Sequence, residues 1–371
     1  MPAHTLEDRA RGALLGAFIG DALALGPHWY YDLAQLRADY GPWISDYTTP
    51  RPNRYHAGLR AGQPSQAGFL LRLTAESLVA RGDYDEADFC ARLDADLFPL
   101  LDGTPMNGPG GYTSQSIREA WRKRRLQGLP WGAVGGNADT TEAAERTLAI
   151  AIRYAREPAK LASAVTRNTL LTQTDGTVVA MTVAFAAVLG MLVDGHALDG
   201  ALSGKLMARV KAGDLPFHAV TGDKLQAPRP GQAEAPSAGC FPSPDALLTP
   251  SSIALSAHDP DIRIEPAWKV SLLYGLPCAV YHQFPAAYYL AARFPDDFEA
   301  AVLHAVNGGG QNQARAILTG ALAGAQTGLS GIPRRFLDGL DGGAALLELA
   351  GTLARQAGAA PTRGEEEGSV K

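Results

Sequence analysis

Glycine recurs at every fourth position along the first helical segment of this chain, and this spacing restricts how the segment can pack. Gly12, Gly16 and Gly20 lie on one face of segment 6–25, among alanine, leucine and other apolar residues. A stripe without side chains lets the backbone of a second helix approach closely. We therefore expect this segment to pack against another helix inside the protein core.

Helical periodicity continues along most of the chain, whereas strict alternation of apolar and polar residues is almost absent. Ser65 and Asp175 are well placed as N-caps of the segments that follow them. The fold class predicted is all-α, a single compact multi-helix domain. Helices are expected at 6–25, 66–81, 86–100, 112–126, 141–156, 159–171, 176–193, 197–212, 267–281, 285–293, 296–306, from 312 onward and at 343–357.

Two stretches interrupt the helical pattern. Residues 213–262 are rich in Pro, Gly, Ser and Ala and resemble an insertion, because no second self-contained pattern begins after them. Residues 361–371 form a charged tail that we predict to be disordered. The expected organisation is one domain over 1–360 with this insertion.

Composition excludes several classes of function. The net charge is −5, and the one basic run, Arg122–Arg125, is typical of a solvated helix end, so no nucleic-acid partner is expected. Cys90, Cys240 and Cys278 are scattered, which argues against disulfides and a thiolate zinc site. Neither a signal peptide nor a membrane span is predicted, and a cytoplasmic location is the expectation.

Glycine-rich stretches precede several of the helices. The clearest reads Asn307-Gly308-Gly309-Gly310-Gln311-Asn312-Gln313, directly before a small-residue apolar segment. Glycines allow close backbone approach to a ligand, and the N-terminus of a helix favours polar or anionic groups. The aromatic stretch 26–32 could line a ligand pocket or cover the core; both interpretations stay open.

Taken together, these motifs resemble the ADP-ribosylglycohydrolase family. The N-terminal signature reads Arg11-Gly12-Ala13-Leu14-Leu15-Gly16-Ala17-Phe18-Ile19-Gly20-Asp21-Ala22-Leu23, and the C-terminal one is the glycine stretch above. Thr172-Gln173-Thr174-Asp175 stands where the family usually has Thr-His-x-Asp. The resemblance covers about residues 8–340 and implies an all-α enzyme that hydrolyses the glycosidic link of ADP-ribose.

The family resemblance also implies a pair of magnesium ions held by acidic motifs, because hard cations prefer charged oxygen ligands. In this chain the acidic positions are aligned with Gln63, Pro64, Gln311 and Gln313. Uncharged amides in place of carboxylates would hold magnesium poorly. We therefore expect no metal ligands and no cofactor.

Three carboxylates are candidates for catalysis: Asp21, Asp139 and Glu142. An acid beside a glycine-rich loop can serve as a general base. Each also has a structural alternative, a buried hydrogen-bonded carboxylate for Asp21 and a charge at a helix start for the other two. Candidate ligand-binding residues are His28, Trp29, Tyr30, Gln63, Ser65, Gly309, Gly310, Gln311, Asn312 and Gln313.

Three functional hypotheses follow. In the first, the protein hydrolyses an N- or O-glycosidic ADP-ribose-type bond without the usual magnesium pair. In the second, it is a non-catalytic relative that binds ADP-ribose or a similar ligand. The third lies between them and is a less specific nucleotide- or glycoside-processing enzyme with a repurposed pocket. The expected partner is a small molecule of ADP-ribose type or an ADP-ribosylated protein, with no membrane partner.

Overall fold

Helices make up most of the described part of the molecule. The computed structural model describes residues 4–218, 230–231, 239–242 and 244–359. Within these ranges β-structure is limited to isolated bridges, so the all-α prediction is confirmed. The described ranges contain 16 α-helices: α1 (Leu6–Ala24), α2 (Leu33–Tyr40), α3 (Gln66–Arg81), α4 (Glu86–Arg92), α5 (Gln115–Trp121), α6 (Glu142–Arg153), α7 (Pro158–Leu170), α8 (Gly176–Val193), α9 (Leu202–Lys211), α10 (Asp245–His258), α11 (Val270–Tyr274), α12 (Val280–Arg293), α13 (Phe298–Asn307), α14 (Asn312–Thr327), α15 (Arg334–Asp338) and α16 (Gly343–Gly358).

Helices α1 and α14 form the central pair of the fold, and their small residues face each other. A Cβ atom added at Gly16 would lie 2.1 Å from the carbonyl oxygen of Gly320. One added at Gly12 would lie 2.2 Å from that of Gly324. The two backbones are thus in contact along the glycine stripe, as expected from its spacing.

Helix α8 is the most apolar helix and crosses the main core. By length and composition it could span a bilayer, but 78% of it is buried inside the structure. It packs against α6, α7, α10, α12 and α14. Protein packing therefore accounts for its apolar surface.

A second, smaller core lies beside the main one. It is formed by apolar side chains of α3, α4, α5 and the turns that follow them, among them Phe89, Phe98 and Ile117. Leu70 of α3 belongs to this smaller core, and Leu71 of the same helix belongs to the main one. Helix α3 therefore lies between the two cores, and its N-terminus points to the loops described below.

Among its described residues, the segment 213–262 contains one α-helix. Helix α10 packs against α9 and α12, and its Leu247, Ile253 and Ala257 are buried. Part of this predicted insertion therefore contributes to the core. Residues 219–229 and 232–238, and the predicted disordered tail 361–371, lie outside the described residues.

Candidate active site

A cavity of about 90 Å³ opens where the N-termini of α3, α6 and α14 meet the loop after α1. Helix N-termini carry unsatisfied backbone N–H groups and a partial positive charge, so they suit polar ligands. The side chains that line this cavity are His28, Trp29, His56, Ser65, Gln66, Ala67, Leu70, Tyr112, Ser114, Gln115, Arg118, Thr140, Glu142, Glu145, Cys278, Gln311 and Gln313.

The glycine stretch before α14 is paired with the aromatic stretch after α1. Gly310 donates its N–H to the carbonyl of Tyr30 at 2.7 Å and accepts from the N–H of Trp29 at 3.2 Å. Gly309 and Gly310 have φ values of 64° and 59°, which favour glycine. At Gly309 a Cβ atom would also lie 2.3 Å from Leu33 Cδ2. The glycines therefore shape the wall from behind instead of lining the cavity.

Arg315 of α14 fixes the glycine stretch from the interior. This fully buried guanidinium donates to the carbonyls of Ala305 at 3.1 Å and Gly309 at 2.5 Å. Burial lowers the pKa of Arg315 to about 9, so it stays charged at neutral pH. Asn312 likewise acts behind the wall, since its amide donates to the carbonyls of Pro27 and Val306.

Two buried histidines connect the wall to the glycine loop before α5. His28 Nδ1 lies 2.6 Å from His56 Nε2, and His56 Nδ1 lies 2.5 Å from the carbonyl oxygen of Gly110. His28 Nε2 lies 2.5 Å from the Gln311 side-chain amide, with Oε1 as the nearer atom. Burial, followed by the neighbouring His56 and Arg54, holds the pKa of His28 well below its ordinary range. Burial lowers the pKa of His56 to about 4, so both rings are neutral at pH 7.

The N-terminus of α3 is held by Asp21 of α1. Its buried carboxylate accepts from the backbone N–H of Ser65 at 2.8 Å and from the Ser65 hydroxyl at 2.5 Å. Burial raises the pKa of Asp21 to about 6, although the hydrogen bonds from Ser65 and Gly68 act in the opposite direction. Asp21 is not a cavity-lining residue. Its contacts match the structural alternative stated above, while Ser65 does face the cavity.

Gln63 and Pro64, which the family resemblance aligns with the early acidic motif, lie outside this cavity. The Gln63 side chain accepts a hydrogen bond from the backbone N–H of Arg60 on the outside of the loop, and Pro64 faces a separate apolar cavity near α16. Gln66, three residues further on, lines the site instead. The structure therefore brings Gln311 and Gln313 together with Gln66, and Gln63 does not join them.

Carboxylates at the start of α6 take different roles. Both oxygens of Glu142 accept backbone N–H groups at the start of α5, from Gln115 at 3.1 Å and Ser116 at 2.9 Å. Asp139 is exposed and does not line the cavity. Glu145, one turn into the helix, is buried and faces the cavity.

Glu145 is the acid that sequence reasoning overlooked. Its Oε1 accepts a hydrogen bond from the Thr141 hydroxyl at 2.6 Å, the one side-chain partner it has among the described residues. Burial, reinforced by Glu142 and Asp21 nearby, raises the pKa of Glu145 to about 8. Its position three residues after Glu142, on the same face at the start of a helix that follows a glycine-rich loop, was the sequence signal that could have identified it.

Four cavity-lining side chains have a buried polar atom without a partner among the described residues. They are the indole nitrogen of Trp29, the hydroxyls of Ser114 and Thr140, and the amide nitrogen of Gln313. Buried polar groups are nearly always hydrogen-bonded, so unpartnered donors at a cavity wall indicate a place for a polar ligand.

Trp29 separates the cavity from a larger, shallow cleft of about 760 Å³. Its ring stacks on His28 with the centroids 4.6 Å apart, and it adopts a left-handed φ of 61°. Tyr31, Arg54 and Tyr55 line the cleft. Tyr30, by contrast, is buried behind the wall, where its hydroxyl donates to Asp39.

The donor set of the cavity is a poor match for magnesium. Of its two carboxylates, Glu142 is engaged by backbone N–H groups and Glu145 is protonated at neutral pH. The remaining oxygens belong to amides, hydroxyls and backbone groups. Among the described residues, no three His, Cys, Asp or Glu side chains are grouped so that they could hold a metal ion.

Comparison with known proteins agrees with the all-α fold. An uncharacterized protein from Archaeoglobus fulgidus is 26% identical over 355 residues, which cover 94% of this chain and 96% of that protein. A solved structure described as an ADP-ribosylglycohydrolase-related protein complex has a TM-score of 0.60 and 21% identity, with coverage of 95% and 99% of the two chains. That structure supports the fold. The model of the ADP-ribosylglycohydrolase family matches residues 2–362, and the chain therefore belongs to this family.

Proposed function

We propose that this protein hydrolyses an N- or O-glycosidic ADP-ribose-type bond without a magnesium pair, with Glu145 as the general acid. The observation that carries the proposal is a buried carboxyl group at the cavity whose pKa is raised to about 8. A catalytic acid must hold its proton at the working pH. Membership of the family makes an ADP-ribosylated substrate the natural choice.

In this proposal Glu145 donates its proton to the leaving nitrogen or oxygen as the glycosidic bond breaks. A water molecule adds to the anomeric carbon, and the proton that it releases restores the carboxylic acid. The Thr141 hydroxyl donates to Oε1 of Glu145 and thereby orients the group. General acid catalysis of this kind typically contributes a factor of about 10² to 10⁴ in rate.

The inner cavity and the outer cleft together suit an extended ligand with a sugar at one end. The inner cavity has room for a small polar group such as a ribose, and its unpartnered donors and hydroxyls suit sugar oxygens. The outer cleft beyond Trp29 offers aromatic rings and the Arg54 guanidinium. Such groups bind bases by stacking and phosphates by charge.

A metal-free mechanism is part of the proposal because the cavity is short of ionised carboxylates. One of its two acids caps α5 and the other holds a proton at pH 7. The remaining polar groups can still orient a ribose by hydrogen bonds. No step of the proposed reaction passes through a metal ion.

A second candidate function is ligand binding without turnover. Glycosidases generally use two carboxyl groups, one as acid and one as base or nucleophile. Here the oxygens of Glu142 are occupied by the N–H groups of Gln115 and Ser116, which leaves Glu145 alone. This single observation favours a binding protein that keeps the pocket.

The test is release of ADP-ribose from peptides modified on arginine or serine, in the presence of EDTA. The wild type should turn over, and Glu145→Gln should lose about 100-fold or more in kcat. Asp139→Asn, at an exposed position outside the cavity, is the matched control and should keep wild-type activity. ADP-ribose binding, measured by calorimetry, should survive in all three proteins.

Turnover that requires added magnesium would contradict the metal-free reaction. Binding of ADP-ribose with no hydrolysis of either peptide would support the second candidate instead.

A further inference from the structure

Three hydrogen bonds in series join the Gly110 carbonyl, His56, His28 and the Gln311 amide. A neutral imidazole carries one proton and has one donor and one acceptor nitrogen. The carbonyl of Gly110 can only accept, so the proton of His56 must be on Nδ1. His56 Nε2 is then an acceptor, and the proton of His28 must be on its own Nδ1.

Since the single proton of His28 is on Nδ1, its Nε2 is an acceptor. Its partner, 2.5 Å away on Gln311, must therefore be a donor, which the amide nitrogen is and the carbonyl oxygen is not. Rotating the amide by 180° exchanges Oε1 and Nε2 without moving any other atom, so the hydrogen-bond partners decide its orientation. The carbonyl oxygen of Gln311 then faces the cavity.

We propose that His56 and His28 are positioning residues, which hold Gln311 so that its side-chain oxygen accepts a hydrogen bond from a hydroxyl group of the ligand. The inference rests on the proposed function only in naming that hydroxyl as one of the ribose. Nothing in the chain of bonds itself depends on catalysis.

The hydrogen-bonding groups around Gln311 suit a sugar hydroxyl, which can both donate and accept a hydrogen bond. The oxygen of Gln311 is the acceptor, and the unpartnered amide nitrogen of Gln313 is a donor in the same cavity. The indole N–H of Trp29, whose ring stacks on His28, is a second unpartnered donor. One hydroxyl placed between an acceptor and a donor satisfies both.

The experiment is ¹⁵N NMR of the full chain with labelled histidine at pH 7. The rings of His28 and His56 lie 4.8 Å apart and can be assigned by their mutual cross-relaxation. Both should be neutral and protonated only at Nδ1. A His28 ring protonated at Nε2, alone or as imidazolium, would overturn the inference.

Two variants test whether the protonation of His28 depends on its contact with residue 311 or only on added charge in the cavity. Gln311→Glu puts an acceptor against His28 Nε2, so this nitrogen should gain a proton, giving an imidazolium signal at pH 7. Gln313→Glu adds the same charge to the same cavity without contact to His28, and the ring should keep the wild-type tautomer. Equal changes in the protonation of His28 in both variants would mean that the ring responds to charge alone. This result would contradict the proposal.

Calorimetry with ADP-ribose completes the test. Wild type and Gln311→Met are compared, since methionine fills the volume but its thioether is only a weak acceptor. Affinity should fall about tenfold, the effect of one hydrogen bond. Unchanged affinity would refute the contact with the ligand. If the tautomers are as stated and the wild type does not bind ADP-ribose, the proposed function fails while the orientation of Gln311 stands.

Discussion

Ser65 directs two hydrogen bonds at a single carboxylate, that of Asp21, one from its backbone N–H and one from its hydroxyl. The contact joins the last turn of α1 to the N-terminus of α3. Gly68 makes it possible, because a Cβ atom there would lie 2.2 Å from Asp21 Oδ2. The start of α3 is thereby fixed at the cavity edge.

Asp21→Asn should change how stability depends on pH. The folded-state pKa of Asp21 is raised from 3.8 to about 6, so folding favours its protonated form. The stabilisation is complete below pH 3.8 and is lost as the pH rises through about 6. Since one pKa unit equals about 1.4 kcal/mol, the loss is about 3 kcal/mol.

Urea unfolding between pH 3.5 and 7 measures this effect. The free energy of unfolding of the wild type should fall relative to Asp21→Asn across that range. Asp32→Asn, at the exposed N-cap of α2, is the control and should follow the wild type. Parallel curves for wild type and Asp21→Asn would show that the burial of Asp21 does not govern its ionisation.

The pH profile of turnover tests the role of Glu145. Its pKa is raised to about 8, so the group is protonated below this pH and ionised above it. As a general acid it should support a kcat that is constant near neutrality and falls tenfold for each pH unit above about 8. Residual turnover by Glu145→Gln should lack this decline. A kcat that rises through pH 8 would instead identify the carboxylate as a base.

Gly16→Ala should destabilise the protein strongly. The new methyl group would lie 2.1 Å from the backbone oxygen of Gly320, and no side-chain rotation can relieve the overlap. Forced separation of α1 and α14 should cost about 3 kcal/mol. Gly204→Ala is the matched control, because nothing lies within 4 Å of its added Cβ in helix α9.

Thermal unfolding of both variants gives the comparison. Gly204→Ala should be neutral or more stable by about 0.5–1 kcal/mol, since alanine is the better helix former. A Gly16→Ala variant as stable as the wild type would mean that the helix pair tolerates a wider separation.

Gln173→Ala should loosen the loop that leads into α6. The buried Gln173 amide donates to the carbonyls of Ala138 and Thr140 and accepts from the N–H of Ala143, each at 2.8 Å. Loss of three buried hydrogen bonds should cost about 3 kcal/mol. ADP-ribose binding should also weaken, because Thr140 and Glu142 line the cavity.

Gln127→Ala, at an exposed helix end, is the control for this variant and should leave stability and binding unchanged. Equal stability of Gln173→Ala and wild type, measured by urea unfolding, would show that the loop is held by other contacts.

Local signals explain which helices could be predicted. The observed bounds of helix α3 equal the predicted ones, because Ser65 caps its start and Gly82, with a φ of 73°, ends it. The bounds of helix α8 were also predicted correctly, because its N-cap Asp175 precedes an unbroken apolar run. Helix α10 was not predicted, since Pro250 lies inside it and its surroundings resemble a loop.

The site was harder to predict because it depends on distant pairs. Gln311 and Gln313 were identifiable from the glycine stretch before α14, but His56 has no periodic signal and meets His28 through a loop. The family resemblance placed Gln63 in the acidic motif, although the helical register brings Gln66 to the cavity. A helical pattern fixes the start of α3 without showing which of its polar residues point inward.

The contact between α1 and α14 also sets the order in which this protein can assemble. Helix α1 leaves the ribosome long before α14, whose backbone fills the glycine stripe of α1. Until α14 arrives, the stripe is uncovered and the Gln311 wall of the cavity does not exist. The nascent chain must therefore keep an apolar helix without its partner while the intervening helices are synthesised, and the binding site forms only after α14 has emerged.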